Sequence, residues 1–185
     1  MEDLSLHILD LAENCITAES TLVRITVFEN PPGDELVIEI VDNGSGMTAE
    51  QLRQVRDPFY TTRDTRRIGL GVPLFARSCE EAGGSLEIES APGEGCKLRG
   101  TMQYGHIDRK PLGDMVETVI TLIMSAPQID WEFRHARVRP DGETALVELD
   151  TRQVREQVGI ETITHPEVVR AMRRSLREQT AQLND

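Results

Sequence analysis

The stretch IVDNGSGMTAEQL, residues 40–52, decides how the first half of this chain folds. A run of β-branched residues leads directly into an acid, an asparagine and two glycines. Asn43-Gly44 is the strongest short-range signal for a two-residue hairpin turn, but a hairpin needs a second strand after the turn. Thr48 and Gln51 instead have the spacing of a capping box, which closes the start of a helix. The stretch therefore predicts a strand, a glycine-rich loop and a helix.

A loop of this kind has two interpretations that spacing alone leaves open. The first is a structural turn. The second is a ligand loop, since the backbone amides at the start of a helix can hold a phosphate. A calcium loop fits poorly, since Gly44 and Gly46 replace oxygen ligands expected at alternate positions after Asp42.

Composition narrows the class of protein. The chain has 185 residues, 38% hydrophobic and 28% charged, which suits a globular protein with one good core or two small ones. No apolar run reaches the roughly 20 residues of a membrane span, and the acidic start is unlike a signal peptide. Three cysteines without a CxxC pair predict a reducing cytoplasm, with neither a disulfide framework nor a zinc site. A formal net charge of -12 disfavours nucleic acid as a partner.

Hydrophobic periodicity predicts an α+β fold with helices on one face of a mixed sheet. The predicted elements are a helix from residue 4, strands at 21–28 and 35–41, helices at 48–55 and 72–82, strands at 85–90 and 96–102, a helix at 113–124, strands at 129–138 and 143–150, and two final helices. The pattern changes near residue 104, where we expect a domain boundary.

Five motifs follow one another in the first 103 residues, each on the type of element predicted for it. They are DLAEN at 10–14, DNGSGM at 42–47, DPFYTTR at 57–63, GLG at 69–71 and GEGC at 93–96. In this order they resemble the GHKL superfamily, the ATPases of gyrases, heat-shock chaperones, histidine kinases and mismatch-repair proteins. The resemblance implies a two-layer α/β sandwich, the Bergerat fold, over residues 1–103. The elements predicted beyond it indicate a smaller C-terminal α/β extension over 104–185. The resemblance also implies ATP and magnesium as cofactors.

The resemblance assigns the adenine side of a nucleotide site. Asp42 would accept a hydrogen bond from the adenine amino group, Gly44 and Gly46 would let the backbone approach base and sugar, and Met47 would pack on the adenine. Cys96 stands where a threonine or serine commonly binds adenine through water, and a thiol is a poorer hydrogen-bond partner. From the residues alone, Asp42 can also cap its own turn, and Met47 can be a core residue.

The phosphate side follows from the same resemblance. Asn14 would ligate magnesium through its amide oxygen, although an asparagine on a helix is usually just solvated. The amides of the second glycine box would hold the phosphates; its residues are Gly69, Leu70 and Gly71. Residues 57–68 would form a short lid, with Phe59 as a hydrophobic latch and with Thr61, Thr62 and Arg63 near the phosphates.

One departure from the family pattern bears on catalysis. Asp10 stands where hydrolytic members have a glutamate that activates water, and its shorter side chain puts its reach as a base in question. A histidine-bearing helical hairpin ahead of the domain is not expected, and His7 is a poor phosphate acceptor because it lies on the nucleotide helix. A stand-alone domain of this kind resembles the anti-sigma-factor serine kinases.

Three functions remain open. The first is a nucleotide-dependent regulator that binds Mg-ATP and is kinase-like toward a protein partner, which residues 104–185 select. The second is a non-catalytic, ATP-gated module within a larger complex, and the third is an adaptor with a vestigial pocket. Taken whole, including QYGHIDRKPLGDM at 103–115, the chain is also similar to ATP-binding proteins associated with NADH-linked iron hydrogenases. The expected protein partner is therefore a redox or a signalling protein. An arginine stripe on the last helix, which includes Arg173 and Arg177, predicts a solvated face or a surface for an acidic partner.

Overall fold

A computed structural model describes residues 3–55, 70–158 and 163–183. The helices and strands of these residues follow one another in nearly the order and positions that periodicity predicts. The elements are α1 (Leu4–Thr17), β1 (Leu22–Asn30), β2 (Glu35–Asp42), α2 (Ala49–Gln54), α3 (Gly71–Glu81), β3 (Ser85–Ser90), β4 (Cys96–Gln103), α4 (Met115–Ser125), β5 (Asp130–Val138), β6 (Thr144–Asp150), α5 (Thr151–Val158) and α6 (Pro166–Leu183).

The strand, loop and helix predicted for residues 40–52 are all present. Strand β2 ends at Asp42, and α2 begins after Thr48. The capping box is formed, because the Thr48 hydroxyl accepts from the Gln51 amide at 3.2 Å and the Gln51 side chain accepts from the Thr48 amide at 2.8 Å. The hairpin reading of Asn43-Gly44 is therefore wrong, since the chain enters a helix and not a second strand.

The strands form one mixed sheet in the order β3-β4-β2-β1-β5-β6. Three hairpins of consecutive strands supply the antiparallel pairs β1 with β2, β3 with β4 and β5 with β6. Strand β4 pairs with β2, also antiparallel, while β1 and β5 are parallel. The strands that follow residue 104 therefore extend the same sheet from β1.

One face of the sheet carries the core. Leu86, Gly100, Ile38 and Val27 lie in register across four strands on this face. The helices cover it in the spatial order α3, α1, α4, α6, in which each helix contacts the next. Gly100 has no side chain because the ring of Phe75 on α3 occupies that space. This arrangement confirms the predicted α+β fold with helices on one face.

The start of α4 is joined to α6 by charge pairs. Arg173 donates to Glu117 at 2.9 Å, and Arg177 donates to Asp114 at 2.7 Å. The side chains of both arginines remain between 40 and 50% exposed. These two members of the predicted arginine stripe therefore pair with acids of the chain itself.

Candidate functional site

Asp42, at the end of β2, is the most enclosed acid of the predicted site. It is 7% exposed, because β1 and β4 flank it on both sides of β2. Its Oδ1 accepts two hydrogen bonds, from the hydroxyl of Ser20 at 3.0 Å and from the backbone amide of Gly44 at 2.8 Å. Ser20 is itself only 5% exposed. The two donors fix the orientation of the carboxylate and engage one of its oxygens.

Two cysteines lie beside this carboxylate. Burial raises the pKa of the Cys15 thiol well above its usual value, and the charge of Asp42 raises that pKa further, while the thiol itself donates to the Leu11 carbonyl at 3.7 Å. Burial likewise raises the pKa of Cys96 to about 12, with the charge of Asp42 as the next cause. Both thiols therefore stay protonated at neutral pH. Neither thiol adds a negative charge beside Asp42.

The glycines of the loop after β2 are required by close packing against the chain itself. Gly46 has a φ of 66°, and a methyl group there would overlap the carbonyl oxygen of Ala91. A methyl group at Gly44 would lie 2.6 Å from both the Ala18 carbonyl oxygen and the Ser20 hydroxyl. The sequence predicted close approach to a base and sugar here. The close neighbours that the structure places there are protein atoms.

A second loop, between β3 and β4, is bonded to the first. The Ser90 hydroxyl accepts from the backbone amide of half-buried Met47 at 2.9 Å and donates to the Gly95 carbonyl at 2.6 Å. The Gly93 amide donates to the Ser45 carbonyl at 2.7 Å. These bonds hold the first and third glycine motifs together, although they are about 50 residues apart in the chain.

Helix α1 places the remaining motif residues against the start of α3. A methyl group at Gly71 would overlap the Asp10 carboxylate and lie 3.7 Å from the Asn14 side-chain amide. Leu70 is exposed and precedes α3, whose first turn has no side-chain cap. The amides at the start of α3 therefore lie beside the Asp10 and Asn14 side chains, where the positive end of the helix favours an anion.

Helix α1 also joins the two halves of the site. Asn14 faces Gly71, whereas the neighbouring Cys15 interacts with Asp42. Four of the five motifs thus meet around the C-terminal half of one helix. The other predicted site residues lie outside the described part of the chain; they are Phe59, Thr61, Thr62, Arg63 and Gly69.

Sequence reasoning missed three polar groups that support the site. Ser20 orients Asp42, Ser90 joins the two loops, and Cys15 borders the Asp42 carboxylate. A serine at the end of a strand or after a helix gives no distinctive signal, so Ser20 and Ser90 could be found only from the fold. Cys15 could have been suspected, because it directly follows the predicted magnesium ligand Asn14.

In residues 3–55, 70–158 and 163–183, no group of three or more histidine, cysteine, aspartate or glutamate side chains is placed to hold a metal ion. Within those same ranges, every helix is too short or too polar to cross a membrane.

Known proteins are similar to the first part of this chain. Residues 2–105 match the family described as histidine kinase-, DNA gyrase B-, and HSP90-like ATPase. The nitrogen regulation protein NtrY of Azorhizobium caulinodans is 40% identical over 81 residues, which cover 43% of this chain and 10% of that protein. Sporulation kinase C of Bacillus subtilis is 34% identical over 87 residues, 47% of this chain and 20% of that kinase. The matched residues therefore span a fifth or less of each of these two proteins.

A shorter relative is covered more fully. The anti-sigma F factor of a Thermoanaerobacter species is 30% identical over 106 residues, which are 56% of this chain and 70% of that protein. Among solved structures, the N-terminal domain of a DNA repair protein has a TM-score of 0.54 at 14% identity, covering 81% of this chain and 53% of that one. At this identity the structural match supports the fold alone.

Proposed function

Because the chain belongs to the histidine kinase-, DNA gyrase B-, and HSP90-like ATPase family, we propose that it binds Mg-ATP and acts as a nucleotide-dependent regulator, kinase-like toward a protein partner. The observation that carries the proposal is the meeting of four separated motifs around α1. The names of the relatives, a nitrogen regulation protein, a sporulation kinase and an anti-sigma factor, favour a regulatory role.

The adenine would be recognised by Asp42. Its Oδ1 is already held by Ser20 and Gly44, so Oδ2 is the oxygen available to accept from an exocyclic amino group. Guanine carries a carbonyl oxygen at that position, which a carboxylate repels. The predicted contact of half-buried Met47 with the base completes this side of the proposal.

The phosphates would lie at the start of α3. The amides of the second glycine box would bind them, and the Asn14 amide oxygen would be the protein ligand of magnesium, which otherwise keeps waters and phosphate oxygens. The residues fit such a group, because a side chain at Gly71 would fill the space next to Asp10 and Asn14. Bound magnesium would neutralise phosphate charge close to the Asp10 carboxylate.

We expect saturating Mg-ATP to stabilise the protein. A ligand at 100 times its dissociation constant adds about 2.7 kcal/mol to the free energy of unfolding, which corresponds to a rise of roughly 5 to 10 °C in the melting temperature at this chain length. Thermal unfolding with Mg-ATP, Mg-GTP and no nucleotide measures it. With magnesium present, Asn14→Ala should lose most of this rise in melting temperature. With ATP in EDTA, the melting shifts of Asn14→Ala and of the unmodified protein should be equal. A melting curve unaffected by millimolar Mg-ATP contradicts the proposal.

A second candidate function is a non-catalytic, ATP-gated binding module in a larger complex, and the length of Asp10 favours it. A general base contributes about 100-fold to 10,000-fold to a rate, so a base with too short a reach leaves binding intact and removes most turnover. We expect the unmodified protein alone to release phosphate far more slowly than about one per second, the lower end of usual turnover numbers.

Variants of Asp10 separate the two candidates. Asp10→Ala should leave ATP affinity nearly unchanged, and Asp10→Glu, which restores the longer reach, should raise the rate of phosphate release. If the unmodified protein releases phosphate at about one per second or faster, and Asp10→Ala abolishes this release, then Asp10 is a working base and the protein is an ATPase. Transfer of labelled phosphate to a purified partner would select the kinase over the binding module.

Residues 104–185 are proposed as the partner-binding extension, with a redox or signalling protein as the partner.

Three free cysteines, Cys15, Cys79 and Cys96, suit a reducing compartment such as the cytoplasm. Burial raises the pKa of Cys79 to about 12, so this thiol too is unreactive at neutral pH.

A further inference from the structure

Ile107 is the most exposed large hydrophobic residue in the described part of the chain. It is 95% exposed, whereas the other exposed ones lie between 39 and 45%. It belongs to a turn of residues 104–109, here called the Ile107 turn, which connects β4 to the segment before α4. Isolated exposed hydrophobics are common on protein surfaces, so exposure alone does not mark a site.

The backbone of the Ile107 turn is held firmly. The Tyr104 amide donates to the Asp34 carbonyl at 3.1 Å, and the Gly105 amide donates to the Asp34 carboxylate at 2.7 Å. The amide of Arg109 donates to the His106 carbonyl at 3.1 Å, across Ile107. A side chain displayed on a backbone that is already ordered loses little conformational entropy when a partner binds it.

The basic side chain of the turn is directed inward. The Arg109 guanidinium lies 4.7 Å from the ring centroid of Tyr104 and donates to the Tyr104 carbonyl. Two acids of this region are exposed to solvent: Asp34, whose carboxylate also accepts from Gly105, and Asp108, whose side chain is 68% exposed and lies 3.9 Å from the His106 ring. The turn therefore presents an apolar side chain in a region with two exposed acids.

The residue that follows the turn attaches it to α1 and α3, the two helices that carry the phosphate side of the candidate nucleotide site. The Lys110 ammonium donates to the Ser78 hydroxyl on α3 at 2.8 Å and lies 3.3 Å from Nε2 of His7 on α1. Burial, together with the charge of Lys110, lowers the pKa of His7 to about 4. His7 is therefore neutral at neutral pH, and its Nε2 can accept from Lys110.

Backbone bonds continue this attachment. The Leu4 and Ser5 amides at the start of α1 donate to the carbonyls of Pro111 and Leu112 at 2.9 and 2.8 Å. The turn is thus joined to α1, which carries Asp10 and Asn14, and through Lys110 to α3, which begins at Gly71.

We propose that the Ile107 turn is the docking site for a protein partner, and that this partner presents an apolar pocket rimmed by basic side chains. The proposal rests on the regulatory function proposed above and names its contact surface. A convex isoleucine needs a pocket, and the exposed acids, in a chain of formal net charge -12, favour a basic rim and disfavour an anionic membrane. Removing one isoleucine side chain from a buried contact lowers affinity by about tenfold or more, so this single side chain can carry a measurable share of the binding.

The test begins with a photo-crosslinking amino acid at position 107 of the full chain, expressed in the cells from which the chain comes. Each crosslinked protein is then purified and titrated against the unmodified chain, Ile107→Ala and Ile107→Asp. We expect a partner whose affinity falls about tenfold or more with Ile107→Ala and further with Ile107→Asp. Rising salt should weaken binding of the unmodified chain.

Two controls separate docking from folding and from nucleotide binding. Met124→Ala, at a 45% exposed position on α4, should bind the same partner as the unmodified chain does. The Ile107 variants should keep the melting shift given by Mg-ATP. If Mg-ATP does not shift the melting temperature of the unmodified protein, the nucleotide proposal is contradicted. The docking proposal is then still decided by the partner titration.

Three outcomes overturn the docking proposal. The first is a purified partner that binds Ile107→Asp as tightly as the unmodified chain. The second is crosslinking from position 107 only to a second copy of this chain, which makes the turn a self-association surface. The third is no crosslinked protein at all.

Discussion

Gly95→Ala is expected to lower the free energy of unfolding by about 1 to 3 kcal/mol more than the same change at Gly93, because it forces overpacking as well as backbone strain. Gly95 has a φ of 79°, and a methyl group there would overlap the Asp42 carbonyl oxygen and lie 2.8 Å from the Asn43 Cα. These are backbone atoms, which cannot rotate away. Because the shift would displace Asp42 itself, ATP binding should fall with stability. Urea unfolding and calorimetric titration with ATP measure the two effects.

Gly93 provides a matched control. Its φ is 78°, but a methyl group there would meet nothing within 4 Å. Gly93→Ala therefore tests the left-handed conformation alone, with an expected loss of about 1 to 2 kcal/mol. ATP affinity should be retained in this variant. Equal losses at the two positions would contradict the contact between Gly95 and the end of β2.

Asp42→Asn is expected to reduce ATP affinity by at least tenfold while the fold is retained. The Ser20 hydroxyl and the Gly44 amide both donate to Oδ1, so they should orient the asparagine with its carbonyl oxygen in that place. The asparagine amino group would then replace Oδ2 and face the adenine amino group, donor against donor. Losing a hydrogen bond to a charged group removes about 1.5 to 3 kcal/mol. Titration with ATP and GTP should show the preference for ATP reduced.

Two further variants test the orientation argument. Ser20→Ala removes one of the two donors to Oδ1, so ATP affinity should fall less than in Asp42→Asn, and Ser20→Thr, which keeps the hydroxyl, should restore it. Glu39→Gln is the matched control, because it replaces another acid of the same strand by its amide, away from the site. This variant should leave ATP affinity unchanged. An Asp42→Asn protein that binds ATP as tightly as the unmodified one would place the base elsewhere.

Local patterns predicted the elements of this fold well. The capping box of Thr48 and Gln51 formed as expected, and the three hairpins appear with nearly the predicted strand ends. The parallel pairing of β1 with β5 was not predicted. It places Leu22 opposite Asp130, which lies more than a hundred residues further along the chain. Alternation within a strand shows that one face is buried, but it does not select the neighbouring strand.

For the candidate site, the motif order was enough to nominate residues but not their supports. Asp42, Gly71 and Asn14 were nominated from the sequence, and the structure brings them around one helix. Ser20 and Ser90 were not nominated, because a serine has no periodicity and its hydroxyl acquires a partner only when distant loops pack together.

By itself, the sequence determined the order and type of the elements and the family of the first 105 residues. These depend on contacts between residues a few positions apart, such as capping bonds and alternating burial, and on motif order along the chain. Only the tertiary structure decided that Ser20 orients Asp42, that Gly95 must lack a side chain, and that Lys110 joins the Ile107 turn to α1 and α3. The physical reason is that these contacts join residues between 22 and 103 positions apart, and only the packing of the whole core sets the distances between them.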